Sequence, residues 1–180
     1  MNQKFIILLC GRSGSGKTTV AEKLEELYGW TSVQSYTDRA MRSPDEKGHI
    51  FVTETRFDLI PPEEMVAYTE FDGHRYCATR GQVDDNEIYV IDPVGVRTFF
   101  QKYNGSKTVL TVVLNASSSL AKRRMKKRGD SKKKIRNRIA NDEVSFDGVE
   151  LLGDLVVDVK KKSPEKIAKE ISSYVESIVG

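Results

Sequence analysis

The chain has 180 residues, of which 38% are hydrophobic and 31% charged, and its formal net charge is +3. That length fits one compact domain with room for small inserted lobes, and a chain this long buries roughly 70% of its unfolded surface. The composition excludes a disordered chain. No stretch is long and apolar enough to span a membrane, and the apolar run Phe5–Cys10 is too short for a signal peptide. Cys10 and Cys77 are the two cysteines; they predict no structural disulfide and a reducing, cytoplasmic setting.

Phe5–Cys10 is continuously apolar, the pattern of a strand covered on both faces. Gly11–Gly16 interrupts it. Lys17–Tyr28 then carries Val20, Leu24 and Leu27 at helical spacing, with Gly29 as the stop. From Val33 to Gln82 the sequence changes character, with Pro44, Pro61, Pro62 and many Thr, Tyr and Phe residues. Short strands are predicted at His49–Thr53, Val66–Phe71 and His74–Ala78, the last two joined at Asp72-Gly73, with one short helix at Pro62–Val66. This reads as an inserted α+β lobe.

Alternation resumes afterwards. Strands are predicted at Glu87–Ile91, Val109–Leu114 and Asp154–Val159. Helices are predicted at Val94–Tyr103, Ser118–Arg128 and Pro164–Ile178, the last capped by Ser163. The pattern predicts an α/β fold of the three-layer P-loop NTPase type, a mainly parallel sheet with helices on both faces. Its core is expected at 1–32, 83–120 and 141–180, the lobe at 33–82 and a short lid at 121–140. Positive charge concentrates in that lid. Lys122–Arg138 holds eleven of the 29 basic residues and one of the 26 acidic ones, Asp130. Such a cluster marks an anionic partner or a solvated helix face.

Gly11-Arg12-Ser13-Gly14-Ser15-Gly16-Lys17-Thr18 matches G-x-x-x-x-G-K-[ST] and falls between a strand and a helix, the context that gives the motif its meaning. Its glycines let backbone N–H groups converge on one point, where the helix dipole also favours an anion. The predicted ATP-binding set is Gly11, Ser13, Gly14, Ser15, Gly16, Lys17, Thr18 and Thr19. Lys17 would reach the β- and γ-phosphates, and the Thr18 hydroxyl would hold Mg²⁺. Asp92, at the end of the apolar run Ile88–Ile91, is a second candidate for the metal or for the acceptor.

The sequence as a whole resembles the guanylate kinase family. Gly11–Thr18 is similar to the family's G-P-S-G-[SV]-G-K-[ST], and Ser35–Arg42 to its S-x-T-T-R-x-P-R. Glu46–Phe51 resembles a shortened E-x-x-G-x-x-Y-x-F, and Phe71–Tyr76 resembles F-x-G-x-x-Y. Arg124, Arg128-Gly129 and Arg138 stand where the family has its arginine-rich lid. The resemblance implies an ATP-dependent nucleoside monophosphate kinase. Arg39, Arg42 and Tyr76 would bind the acceptor's phosphate, with His49 in place of a phosphate-binding Tyr. Ser35, Asp92 and Thr79 would lie at its base. Arg124, Arg128 and Arg138, with Lys17, would act on the transferring group. Guanidinium forks match phosphate oxygens in pairs and keep their charge.

The departures concern the base. Ala67 replaces the family's guanine-reading Glu, Ala78 its Ser/Thr, and Val90 the first acid of its D-x-D. Glu70 does not substitute for that Glu, because an odd offset along a strand points to the other face. Weaker selection of guanine is therefore expected, with GMP or dGMP still the first acceptor. Three other classes are weighed. A non-catalytic scaffold module is disfavoured by the complete phosphate loop. A nucleic-acid ATPase is disfavoured by the lack of aromatic residues among the lid's charges. A kinase for another nucleotide or small metabolite remains open.

Overall fold

The computed structural model describes residues 5–180, so the first four residues of the expected core lie outside it. In chain order the elements are β1 (Phe5–Gly11), α1 (Lys17–Tyr28), β2 (Ser35–Thr37), β3 (His49–Phe51), α2 (Glu54–Asp58), β4 (Met65–Phe71), β5 (His74–Thr79) and α3 (Arg80–Asp84). They continue with β6 (Ile88–Val90), α4 (Pro93–Lys102), β7 (Thr108–Asn115), α5 (Ser118–Lys127), α6 (Lys132–Ser145), a 3-10 turn at Val149–Leu152, β8 (Leu155–Asp158) and α7 (Pro164–Val179).

The central sheet is parallel, in the order β6-β1-β7-β8. Alternation along β1 divides the core. Phe5, Ile7 and Leu9 face α1 and α7, packing with Val20, Leu24, Ile167 and Ile171. Ile6, Leu8 and Cys10 face the other way, towards Val96 and Phe99 of α4 and towards Phe146 and Val149. With helices on both faces, both sides of every central strand must be apolar, which is why Phe5–Cys10 shows no polar alternation. The parallel pairing carries the carboxyl ends of β1, β6 and β7 to one edge, where Gly11, Asp92 and Asn115 follow. In open α/β sheets ligands gather at that edge.

The inserted lobe is a second sheet, ordered β3-β2-β5-β4. The β4–β5 hairpin turns at Asp72-Gly73, both with positive φ (55° and 76°), as the favoured two-residue turn requires. The helix expected at Pro62–Val66 is absent: Pro61–Glu64 turns and β4 starts at Met65. The lobe's helix is instead α2, capped by the Thr53 hydroxyl, which accepts from Arg56 N–H, and anchored by buried Phe57. Phe57 packs with Met65 and Cys77 beneath the lobe sheet. The sequence reading also missed β2, and it missed α6, a 14-residue helix that runs across the expected boundary between lid and core.

Candidate active site

The phosphate loop links β1 to α1. Gly14 and Gly16 adopt positive φ (78° and 100°), where a β-carbon is strained. Gly11 is required for space, because a Cβ there would lie 2.6 Å from Ser15 Oγ and 2.9 Å from the Leu114 carbonyl oxygen. Lys17 Nζ folds back to donate to the Gly11 and Arg12 carbonyl oxygens, at 2.5 and 3.3 Å. Burial lowers its pKa, and Asp142 and Asp92 act in the opposite direction. A cation poorly solvated by water is one that gains from an incoming phosphate. Thr18 and Thr19 are exposed at the start of α1 and line the same cleft as Gly14, Gly16 and Lys17.

Across this cleft stand α5 and α6. Arg124 NH1 donates to the Ser15 and Gly14 carbonyl oxygens at 2.8 and 3.3 Å, which ties α5 to the loop. Arg128 and Arg138 line the cleft beside it. The pKa of Arg138 is lowered first by burial and then by the charges of Arg42 and Arg128. Three guanidinium groups thus converge from the lobe, the end of α5 and α6, with Asp130 and Asp142 acting against the shift at Arg138. Arg128 is paired with Asp130 at 2.5 Å.

The lobe contributes one face of its sheet. Ser35 pairs with His49, and Thr37 and Thr69 both pair with Tyr76, so these side chains share the face turned towards the phosphate loop. Ser35, His49, Tyr76, Thr69 and Arg42 line a cleft whose opposite wall is Tyr89, Val90, Ile91 and Asp92. Lys17 and Ser13 lie at its end. Ser35 Oγ and His49 Nδ1 are 2.8 Å apart, and the His49 ring lies 5.4 Å from that of Tyr76. Burial, reinforced by the Arg39 charge, lowers the His49 pKa from 6.5 to about 4, so the ring is neutral at pH 7.

That shift has a consequence for stability. The folded protein holds the His49 proton less tightly than the unfolded chain does, so its contribution is complete above the unfolded pKa and is lost as pH falls from 6.5 towards 4. Between pH 7 and 4.5 the wild type should lose about 1–2 kcal/mol more unfolding free energy than His49→Gln, after allowance for partial solvent screening of the ring. Urea denaturation of both proteins at the two pH values measures this. Parallel losses would place no titration at His49.

Comparison with known proteins fits this geometry. A family model described as an AAA domain matches residues 7–145. Guanylate kinase from Syntrophus aciditrophicus is 33% identical over 177 residues, covering 91% of this chain and 83% of that protein. Guanylate kinase from Porphyromonas gingivalis is 31% identical over 186 residues, covering 94% and 97%. The chain belongs to the guanylate kinase family of P-loop nucleotide kinases. A crystal structure of guanylate kinase from Anaplasma phagocytophilum aligns over 98% of this chain and 87% of its own, with a TM-score of 0.66. Its 19% identity makes it a likeness of fold alone.

Within the family frame, several residues stand differently from expectation. Arg39 does not line the main cleft. Its fork is closed on Glu46, at 2.7 and 3.2 Å, and its Nε donates to Tyr76 Oη at 3.1 Å. Glu46 also accepts from Arg42 N–H at 2.6 Å. Arg42 is the arginine that faces outward, lining both the acceptor cleft and the donor cleft. Thr79 is not at the base: its hydroxyl accepts from Gln82 N–H in a capping box that starts α3. It follows Ala78 in β5 and so points to the opposite face, the same parity that removes Glu70. Asp92 caps α4 through Gly95 N–H at 2.6 Å, with its carboxylate on the cleft wall.

Asp142 was not found from sequence. From α6 it accepts from Ser13 N–H at 2.8 Å and lies 3.4 Å from Ser13 Oγ, buried beside the acceptor cleft. Its only local signal is its position one helical turn after Arg138, on the same face.

Proposed function

We propose that this chain transfers the γ-phosphate of ATP to a nucleoside monophosphate, with GMP or dGMP as the first acceptor. The observation that carries this reading is the convergence of Arg42, Arg128 and Arg138 around Lys17, where the phosphate-loop cleft meets the lobe cleft. Phosphoryl transfer spreads negative charge over the transferring group, and catalysis consists largely of positioning and of stabilising that charge. Ser13 to Thr19 would hold the donor phosphates. Arg42 and Tyr76 would hold the acceptor's phosphate, with Arg39 orienting Tyr76 and Glu46, and with Ser35 and His49 beside it. Arg124 would keep the loop in shape while Arg128 and Arg138 cover the reacting group and exclude water.

Mg²⁺ fits the oxygen donors present. Among the described residues no three His, Cys, Asp or Glu side chains converge, and Mg²⁺ in such sites uses one or two protein oxygens and takes the rest from phosphates and water. The exposed Thr18 hydroxyl and the Asp92 carboxylate would hold it, where it would neutralise charge on the β- and γ-phosphates. No nucleic acid is part of this reading, since Arg124, Arg128 and Arg138 of the basic cluster all line the donor cleft. Cys10 and Cys77 are free and buried, which suits the reducing cytoplasm; among the described residues no helix is long and apolar enough to cross a membrane.

Incubation with ATP, Mg²⁺ and each common ribo- and deoxynucleoside monophosphate tests the function. Formation of the matching diphosphate is expected. ATP hydrolysis with no phosphorylated acceptor would end the reading. The lid has its own test. Arg138→Ala should lower kcat by at least about tenfold while changing ground-state nucleotide affinity by less than about threefold, because its contribution is made in the transition state. A loss of activity accounted for by weaker binding alone would assign Arg138 to substrate capture.

A further inference from the structure

Tyr89 takes no part in the roles above, and the family pattern assigns it none. It is buried, 5% exposed, on β6 between Ile88 and Val90. Its ring belongs to the apolar cluster that contains Ala67 and Ala78, which are 1% and 0% exposed. Neither alanine lines the acceptor cleft, whereas Tyr89 does. Among the described residues the Tyr89 hydroxyl has no hydrogen-bond partner, and it is not among the fully enclosed polar atoms. Tyr89 therefore brings an unpartnered hydroxyl to the cleft lining. Burial, then the nearby Asp92 carboxylate and Cys77, raise its pKa, so it stays protonated.

Tyr89 packs against the two departures at 67 and 78. Small residues at 67 and 78 leave room in the cluster for the aromatic ring at 89, which carries a phenol to the wall opposite Tyr76. A carboxylate at 67 would now enter an apolar cluster without a partner, at a cost in stability.

The cleft also has a direction. Arg42 and Lys17 supply its fixed positive charges, whereas Tyr68, Thr69, Tyr89, Val90 and Ile91 supply hydroxyls and apolar surface. A phosphate is held at the former and a base rests against the latter. We propose that Tyr89 is the residue that reads the acceptor base, its hydroxyl donating to a ring carbonyl, so that the acceptor is a 6-oxopurine or 4-oxopyrimidine monophosphate in preference to an amino base. The preference follows from donor satisfaction. Against a carbonyl the O–H is paired. Against the exocyclic amine of adenine or cytosine the phenol oxygen can accept, but its own proton is left unpaired once the base covers it, and an unpaired buried donor is costly.

This inference rests on the acceptor reading above and is tested separately from it. kcat/KM is measured for GMP, IMP, UMP, dTMP, AMP and CMP on wild type and Tyr89→Phe, with thermal unfolding of both as the check on folding. Tyr89→Phe keeps the ring and its packing. Wild type should favour oxo over amino acceptors, and the variant should lose about tenfold on oxo acceptors, the size of one net hydrogen bond, while changing by less than about twofold on AMP and CMP. An unchanged oxo-to-amino ratio in Tyr89→Phe, or a wild type that prefers AMP or CMP, overturns the assignment while leaving a working kinase. If Tyr89→Phe unfolds, Tyr89→Leu and Tyr89→His decide by the same ratio, which only the histidine should retain in part. No phosphorylation of any monophosphate by wild type would instead remove the acceptor reading, and this inference with it.

Discussion

Lys17→Ala should fold normally and lose at least about 10²-fold in kcat, the usual consequence of removing one preorganised charge from a transition state. The side chain projects from the first residue of α1, and its Nζ contacts only loop carbonyls. Replacing it removes no core packing. Burial lowers its pKa, against the pull of Asp142 and Asp92, so an incoming phosphate would stabilise its charge. Lys17→Arg is the informative companion. It keeps charge but replaces a compact ammonium with a planar fork that cannot take the same position at the Gly11 and Arg12 carbonyls, so it should recover little. Single-turnover phosphotransfer together with circular dichroism makes the test. A well-folded Lys17→Ala enzyme with near wild-type turnover would mean that the loop binds no phosphate.

The second large effect belongs to Arg42. Arg42→Ala should weaken use of the monophosphate by about 1.5–3 kcal/mol, the range for a hydrogen bond to a charged group, and should leave ATP affinity within about threefold. Arg39→Ala should not imitate it. Arg39 is enclosed by Glu46, Tyr76 and the Ala40 carbonyl, so its loss should destabilise the lobe and displace Tyr76. Separate measurements of KM for the monophosphate, Kd for ATP and urea stability distinguish the two arginines. Equal loss of ATP affinity in Arg42→Ala would move that residue to the donor side.

The phosphate loop was readable because its signal is local. Strand, glycines, lysine and helix are consecutive, and α1 occupies the expected Lys17–Tyr28. The same holds for the Asp72-Gly73 hairpin and the Ser163 cap. Thr79 was misplaced although the needed rule was at hand: a residue next to Ala78 in a strand cannot share its face. Arg39 and Arg42 look equivalent as a sequence pair, and only the location of Glu46 separates them. α2 was hidden because its five residues give periodicity little to act on, and a proline pair a few residues later offered a more conspicuous helix start. Asp142 and Tyr89 could not be read at all. Each acquires meaning from a contact or a cavity formed by segments far apart in the chain.

The bond between Asp142 and Ser13 also bears on how the lid can move. Asp142 and Arg138 lie four residues apart on one helix, roughly 6 Å along its axis, with Arg138 lining the phosphate-loop cleft and Asp142 fastened to the loop itself. Arg124 fastens α5 to the same loop. If these helices act as a lid, two contacts to one loop would make it turn about that loop and not lift away from it. Wide opening would then strain the contacts at residues 13 to 15, so that exit of the spent donor and relaxation of the loop would be one mechanical event.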